Sequence, residues 1–112
     1  MTIDGGAVPT TDTFGVVNPA TAEVFAQAPD CTRAQLDAAM ESAQKAYRDW
    51  RSDEGARREA LHRAADALFG AADAIGPVLT AEQGKPLADA GMEVLGAGVW
   101  FKYFADLELP AR

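Results

Sequence analysis

The side chains able to do covalent or metal chemistry are few and scattered. Cys31 is the only cysteine and His62 the only histidine, thirty-one positions apart in a chain of 112 residues. Cys31 stands just before Thr32, where a helix is expected to begin, and helix N-termini favour the thiolate form of a cysteine. Yet no general base is recognisable beside it in the sequence. The position also suits a hydrophobic staple with Leu36, so Cys31 reads as a packing residue and not as a nucleophile. His62 lies between Arg58 and Arg63 with no second ligand type clustered near it, the pattern of a surface or boundary histidine. Gly91, Gly96 and Gly98 follow no strand and precede no Lys-Ser or Lys-Thr pair, so they form no phosphate-binding loop; close helix packing accounts for them better.

The elements that must carry these residues follow from periodicity and punctuation. Residues 1–13 are small, polar and turn-forming without a sustained period, and are expected to be a mobile arm. Phe14 to Val17 and Glu23 to Ala28 flank Asn18-Pro19-Ala20-Thr21-Ala22, in which Pro19 presets a turn, so they read as a hairpin. Thr32 and Gln35 form a capping box that opens a helix from about Arg33 to Asp49, with Leu36, Ala39, Met40, Ala43, Ala46, Tyr47 and Trp50 along one face. A second helix is expected after Ser52, with Ala60, Leu61, Ala64, Leu68 and Ala71 as its stripe. Gly70 weakens its end, and a short third helix is expected over Ala72 to Gln83, placing Pro77 in its first turn. Gly84 suits a left-handed cap, and Pro86 then starts a fourth helix reaching about Asp106.

That fourth helix has no charge between Glu93 and Lys102. Met92, Val94, Leu95, Val99, Trp100 and Phe101 spread over most of its circumference, the pattern of a helix covered on nearly every side. Three Ala-rich helices and a hairpin cover only part of it. Each large apolar side chain left exposed forfeits about 1.5–3 kcal/mol, so further polypeptide or self-association is expected.

Composition narrows the function classes. A hydrophobic content of 48% is that of a globular chain, and a formal charge of −7 with interspersed basic residues leaves no positive stripe for nucleic acid or anionic lipid. The start, Met1-Thr2-Ile3-Asp4, lacks the basic and apolar regions of a signal peptide, and the uncharged run at Val94 to Phe101 is too short to span a bilayer. A cytoplasmic location is therefore expected. A single cysteine fits a reducing compartment.

Three motifs in fixed order carry a family resemblance: Val17-Asn18-Pro19-Ala20-Thr21-Ala22-Glu23, then Trp50 followed by Arg57-Arg58-Glu59-Ala60-Leu61, then Glu82-Gln83-Gly84-Lys85-Pro86. Each is ordinary turn or helix-boundary chemistry alone, but together, over residues 14 to about 108, they resemble the start of NAD(P)-dependent aldehyde dehydrogenases. Ala22 departs from the pattern, which usually has glycine there; a positive φ at that site would cost alanine about 1 kcal/mol.

The resemblance implies an α/β fold with a doubly wound cofactor domain, of which residues 14–112 are an incomplete amino-terminal part, itself mostly α-helical with about four helices and one hairpin. It implies oxidation of an aldehyde to a carboxylic acid through a cysteine thioester, with NAD or NADP as hydride acceptor, in a homo-oligomer. The family's Gly-Gln-x-Cys and Glu-Leu-Gly-Gly segments do not occur in the chain. No catalytic or cofactor-binding residue is therefore expected within it, and the segment alone should be inactive. Two carry-overs remain. Glu82, with the carbonyl oxygens of Val16 and Val17, matches a site for a structural sodium or potassium ion, for hard cations take oxygen ligands; the alternative is a solvated carboxylate at a helix end. Met92 and Gly96 match the wall of the aldehyde channel, the alternative being core filler and a helix-crossing contact. A competing reading of the whole is a non-catalytic helical interaction module derived from the same family.

Overall fold

The computed structural model describes residues 1–108 and divides the chain into two compact units, Met1–Ser52 and the segment from Asp53 onward. In the first unit, β1 (Thr2–Ile3) and β2 (Gly6–Ala7) form a minimal antiparallel hairpin, followed by a second from β3 (Thr13–Asn18) and β4 (Glu23–Pro29), and then α1 (Arg33–Trp50). The second unit is a helical hairpin of α2 (Glu54–Gln83) and α3 (Leu87–Asp106).

The stretch expected to be an arm without regular structure thus contains β1 and β2. Its turn is Asp4-Gly5, with φ of 53° and 72°, the left-handed pair that a two-residue hairpin loop requires. Side-chain contacts tie this region to the rest of its unit: Ser42 Oγ donates to Asp4 Oδ1 at 3.1 Å, Gln35 Nε2 to the Pro9 carbonyl at 2.9 Å, and Thr10 Oγ1 to the Asp30 carbonyl at 2.7 Å. Gln35 therefore serves twice. Its Oε1 also accepts from the Thr32 amide at 3.0 Å while its own amide donates to Thr32 Oγ1 at 3.2 Å, completing the expected capping box.

The second hairpin turns where Asn18-Pro19 places it. Asn18 Oδ1 accepts from the Ala20 amide at 2.9 Å, and the Ala22 amide donates to the Asn18 carbonyl at 2.8 Å. Ala22 has a φ of 59°, so the conformation that suits glycine is imposed on alanine, at a cost of about 1 kcal/mol. Val16 faces Ala26 while Val17 faces Val24, so Phe25 is an extra residue and the ladder carries a bulge.

The second and third expected helices are one, and among the described residues the helices number three instead of four. Gly70 costs only about 1 kcal/mol relative to alanine, too little to end a helix held by tertiary packing. Pro77 lies well inside α2, preceded by Gly76. Because glycine has no Cβ to collide with the proline ring, Gly-Pro removes much of the clash that otherwise bars a helical residue before proline. Gly76 is buried, and a Cβ built on it would lie 3.6 Å from the Gly91 amide nitrogen, so the two helix backbones run close here. This packing offsets the hydrogen bond lost at Pro77. Gly84 caps α2 with a φ of 73°, its amide donating to the Thr80 carbonyl at 2.8 Å, as its position after Gln83 predicts.

The seam between α2 and α3 is built from small residues. Among the described residues the buried positions are Ala65, Gly76, Ala90, Val94, Gly98 and Ala105, of which Val94 is the largest. Large apolar groups point elsewhere: Trp100 is 61% exposed, Tyr103 and Phe104 more than half, and the α1 stripe of Leu36, Met40, Tyr47 and Trp50 is exposed as well. The expected all-round cover of the last helix is present on one side only. By length and composition alone α2 also qualifies as a membrane span, but core helices pass the same test. Asp66, midway along it, pairs with Lys102 of α3 at 3.0 Å, which fits a helical hairpin better than a bilayer.

Candidate functional site

Glu82 occupies the last turn of α2, the end at which the helix dipole disfavours a carboxylate. No basic residue lies in that turn, and Lys85, the nearest cation in sequence, pairs instead with Glu93 in the second turn of α3. Among the described residues Glu82 makes no side-chain hydrogen bond or ion pair. It is exposed. Val16 and Val17, the carbonyl donors expected with it, belong to the other unit and sit at the β3–β4 register shift. Both are paired in the ladder, Val16 with Ala26 and Val17 with Val24; the residue left out by the bulge is Phe25 on the opposite strand.

Met92 and Gly96 lie one turn apart on α3, on the side away from the buried seam of Ala90, Val94 and Gly98. Met92 is 68% exposed, and a Cβ on Gly96 would meet nothing within 4 Å. Gly96 is thus not a helix-crossing contact among the described residues. Gly98 is: a Cβ there would come within 2.5 Å of the Phe69 ring. Beside the Met92–Gly96 stripe, Leu61, Ala97, Trp100, Phe101 and Phe104 line an open groove of about 310 Å³. Trp100 stacks on Phe104 with ring centroids 6.0 Å apart and meets Tyr103 edge-on at 5.7 Å, so these rings form one continuous aromatic surface.

The two residues most suggestive of chemistry lie apart, Cys31 before α1 and His62 on α2. Cys31 is an exposed free thiol whose Sγ donates to the Thr32 carbonyl at 3.4 Å; with Leu36 also half exposed, the staple contributes little burial. His62 Nε2 lies 2.9 Å from Asp106 Oδ1, linking α2 to the end of α3. Among the described residues no three of His, Cys, Asp and Glu gather into a metal-binding group of side chains. Gly91, Gly96 and Gly98 are inside α3 and shape no phosphate loop.

The polar centre that sequence reasoning missed is Arg58. Its Nη1 donates to the Ala105 carbonyl at 2.9 Å and its Nη2 to the Leu107 carbonyl at 3.1 Å, while Nε and Nη2 both reach Glu54 Oε1. Since α3 has no basic residue in its own last turn, the cation for its C-terminal carbonyls comes from α2. The Arg58 hydrogen bond, and then its charge, hold the Glu54 carboxyl below the usual carboxylate range. The spacing of four residues between Glu54 and Arg58 is a signal that could have found their pair; nothing in sequence pointed to the carbonyls.

Known proteins share both the sequence pattern and this geometry. The profile of the aldehyde dehydrogenase family matches residues 7–109. A probable aldehyde dehydrogenase from a Pseudomonas species is 38% identical over 111 residues, covering 98% of this chain and 23% of its own length. A glutarate-semialdehyde dehydrogenase from Pseudomonas putida is 37% identical over 95 residues, 84% of this chain and 20% of its own. Among solved structures, an NAD-dependent benzaldehyde dehydrogenase from Corynebacterium glutamicum superposes with a TM-score of 0.82 at 29% identity, over 92% of this chain and 23% of that one. A betaine aldehyde dehydrogenase from Staphylococcus aureus, solved with NAD+, shares the fold with a TM-score of 0.84 at 24% identity, covering 92% of this chain and 22% of that one. The chain thus spans less than a quarter of the length of these relatives.

Proposed function

Because the chain belongs to the aldehyde dehydrogenase family, we propose that it is the amino-terminal part of an NAD(P)-dependent enzyme that oxidises an aldehyde to a carboxylic acid. The observation that carries the reading is the match over residues 7–109 to proteins of which the chain spans so small a share. The exposed aromatic face of α3 supports it, since a globular unit does not leave its largest apolar side chains in water when more chain is present to cover them. Hydride acceptance belongs to the nicotinamide when bound. Among the described residues the glycines of α3 shape no phosphate-binding loop, and Cys31 lies at a helix start in a context unlike the family's nucleophile. Its part is to supply packing surface, the Glu82 carboxylate as a ligand for a cation, and a stretch of channel wall.

Three measurements test this. The 112-residue chain, given aldehydes with NAD+ or NADP+, is expected to form no reduced cofactor, whereas a polypeptide continuing to the family's full length forms it; turnover by the short chain would refute the assignment. In that longer polypeptide, Glu82→Gln is expected to abolish the dependence of thermal stability on sodium or potassium, because the ion loses its only charged ligand from this segment. An ion response equal to that of the parent would return Glu82 to the role of a solvated helix-end carboxylate. Gly96→Trp should lower kcat/KM for bulky aldehydes by about tenfold or more while sparing small ones, the scale on which a narrowed apolar pocket discriminates. Unchanged handling of both would remove Met92 and Gly96 from the channel.

A further inference from the structure

We draw no further inference here: the strongest candidate, the outward apolar face of α3 with its groove between Leu61, Ala97, Trp100, Phe101 and Phe104, is an unpartnered surface, and nothing in the structure shows what covers it.

Discussion

Replacing Gly98 with valine is expected to cost about 2–3 kcal/mol and to strip hydrogen-exchange protection from the amides of α2 and α3. The Phe69 ring lies directly over Gly98, and even one added carbon would sit 2.5, 2.8 and 2.9 Å from three of its atoms. No close-packed seam absorbs such overlap without shifting a backbone or driving a side chain from its rotamer, which costs about 1–3 kcal/mol. The ring is also held from its other neighbours. Lys102 Nζ stands 5.2 Å from the ring centroid, and Lys102 is itself tethered to Asp66 at 3.0 Å. Swinging Phe69 away would therefore forfeit a cation–π contact as well as burial. Two controls isolate the steric cause. Gly96→Val, at a site with nothing within 4 Å, should leave protection unchanged. Phe69→Ala combined with Gly98→Val should cost less than the sum of the two single losses by about 1 kcal/mol or more, because neighbouring substitutions that relieve one clash are strongly non-additive. Equal losses at Gly96 and Gly98 would show that helix propensity, and not the Phe69 contact, decides.

Arg58→Met is expected to cost about 2 kcal/mol and to fray the end of α3 first. The substitution keeps most of the apolar stem but leaves the carbonyls of Ala105 and Leu107 without their donor and Glu54 without its partner. Hydrogen bonds to a charged group contribute about 1.5–3 kcal/mol, and the side chain's one-third exposure places this cluster toward the lower end. Arg58→Lys should restore less than half. An ammonium on a flexible stem cannot present the planar fork that spans two carbonyls and a carboxylate together. The pair also sets a pH dependence. Glu54 has its folded-state pKa lowered by Arg58, so its contribution is present above the ordinary carboxylate range and is lost as pH falls through the lowered value. In Arg58→Met that acid-side loss should disappear, which denaturation profiles across the acid range would show. Retention of the same acid limb would assign it to other carboxylates.

The sequence by itself determined whatever depends on a few consecutive residues. Thr32 with Gln35 announced the start of α1, Gly84 the left-handed end of α2, and Asn18-Pro19 the turn of the second hairpin, because each is a hydrogen-bonding or φ requirement satisfied within about four positions. The ordered motifs from Val17 to Pro86 likewise sufficed for the family, and helical spacing placed Met92 and Gly96 on one stripe. Asp4-Gly5 was equally local and was passed over, since the two-residue strands beside it leave no period to read. Tertiary structure decided the rest. That α2 runs on through Gly76-Pro77 depends on Gly91 lying across the seam, and that Gly98 admits no side chain while Gly96 does depends on where one ring of α2 falls. Lys85 turned to Glu93 and not to Glu82, and Arg58 turned to carbonyls nearly fifty positions away. Periodicity names the face a residue occupies, but the atoms opposite that face are fixed only when two helices settle into one crossing, and the energies of clash, cap and ion pair reside in those atoms.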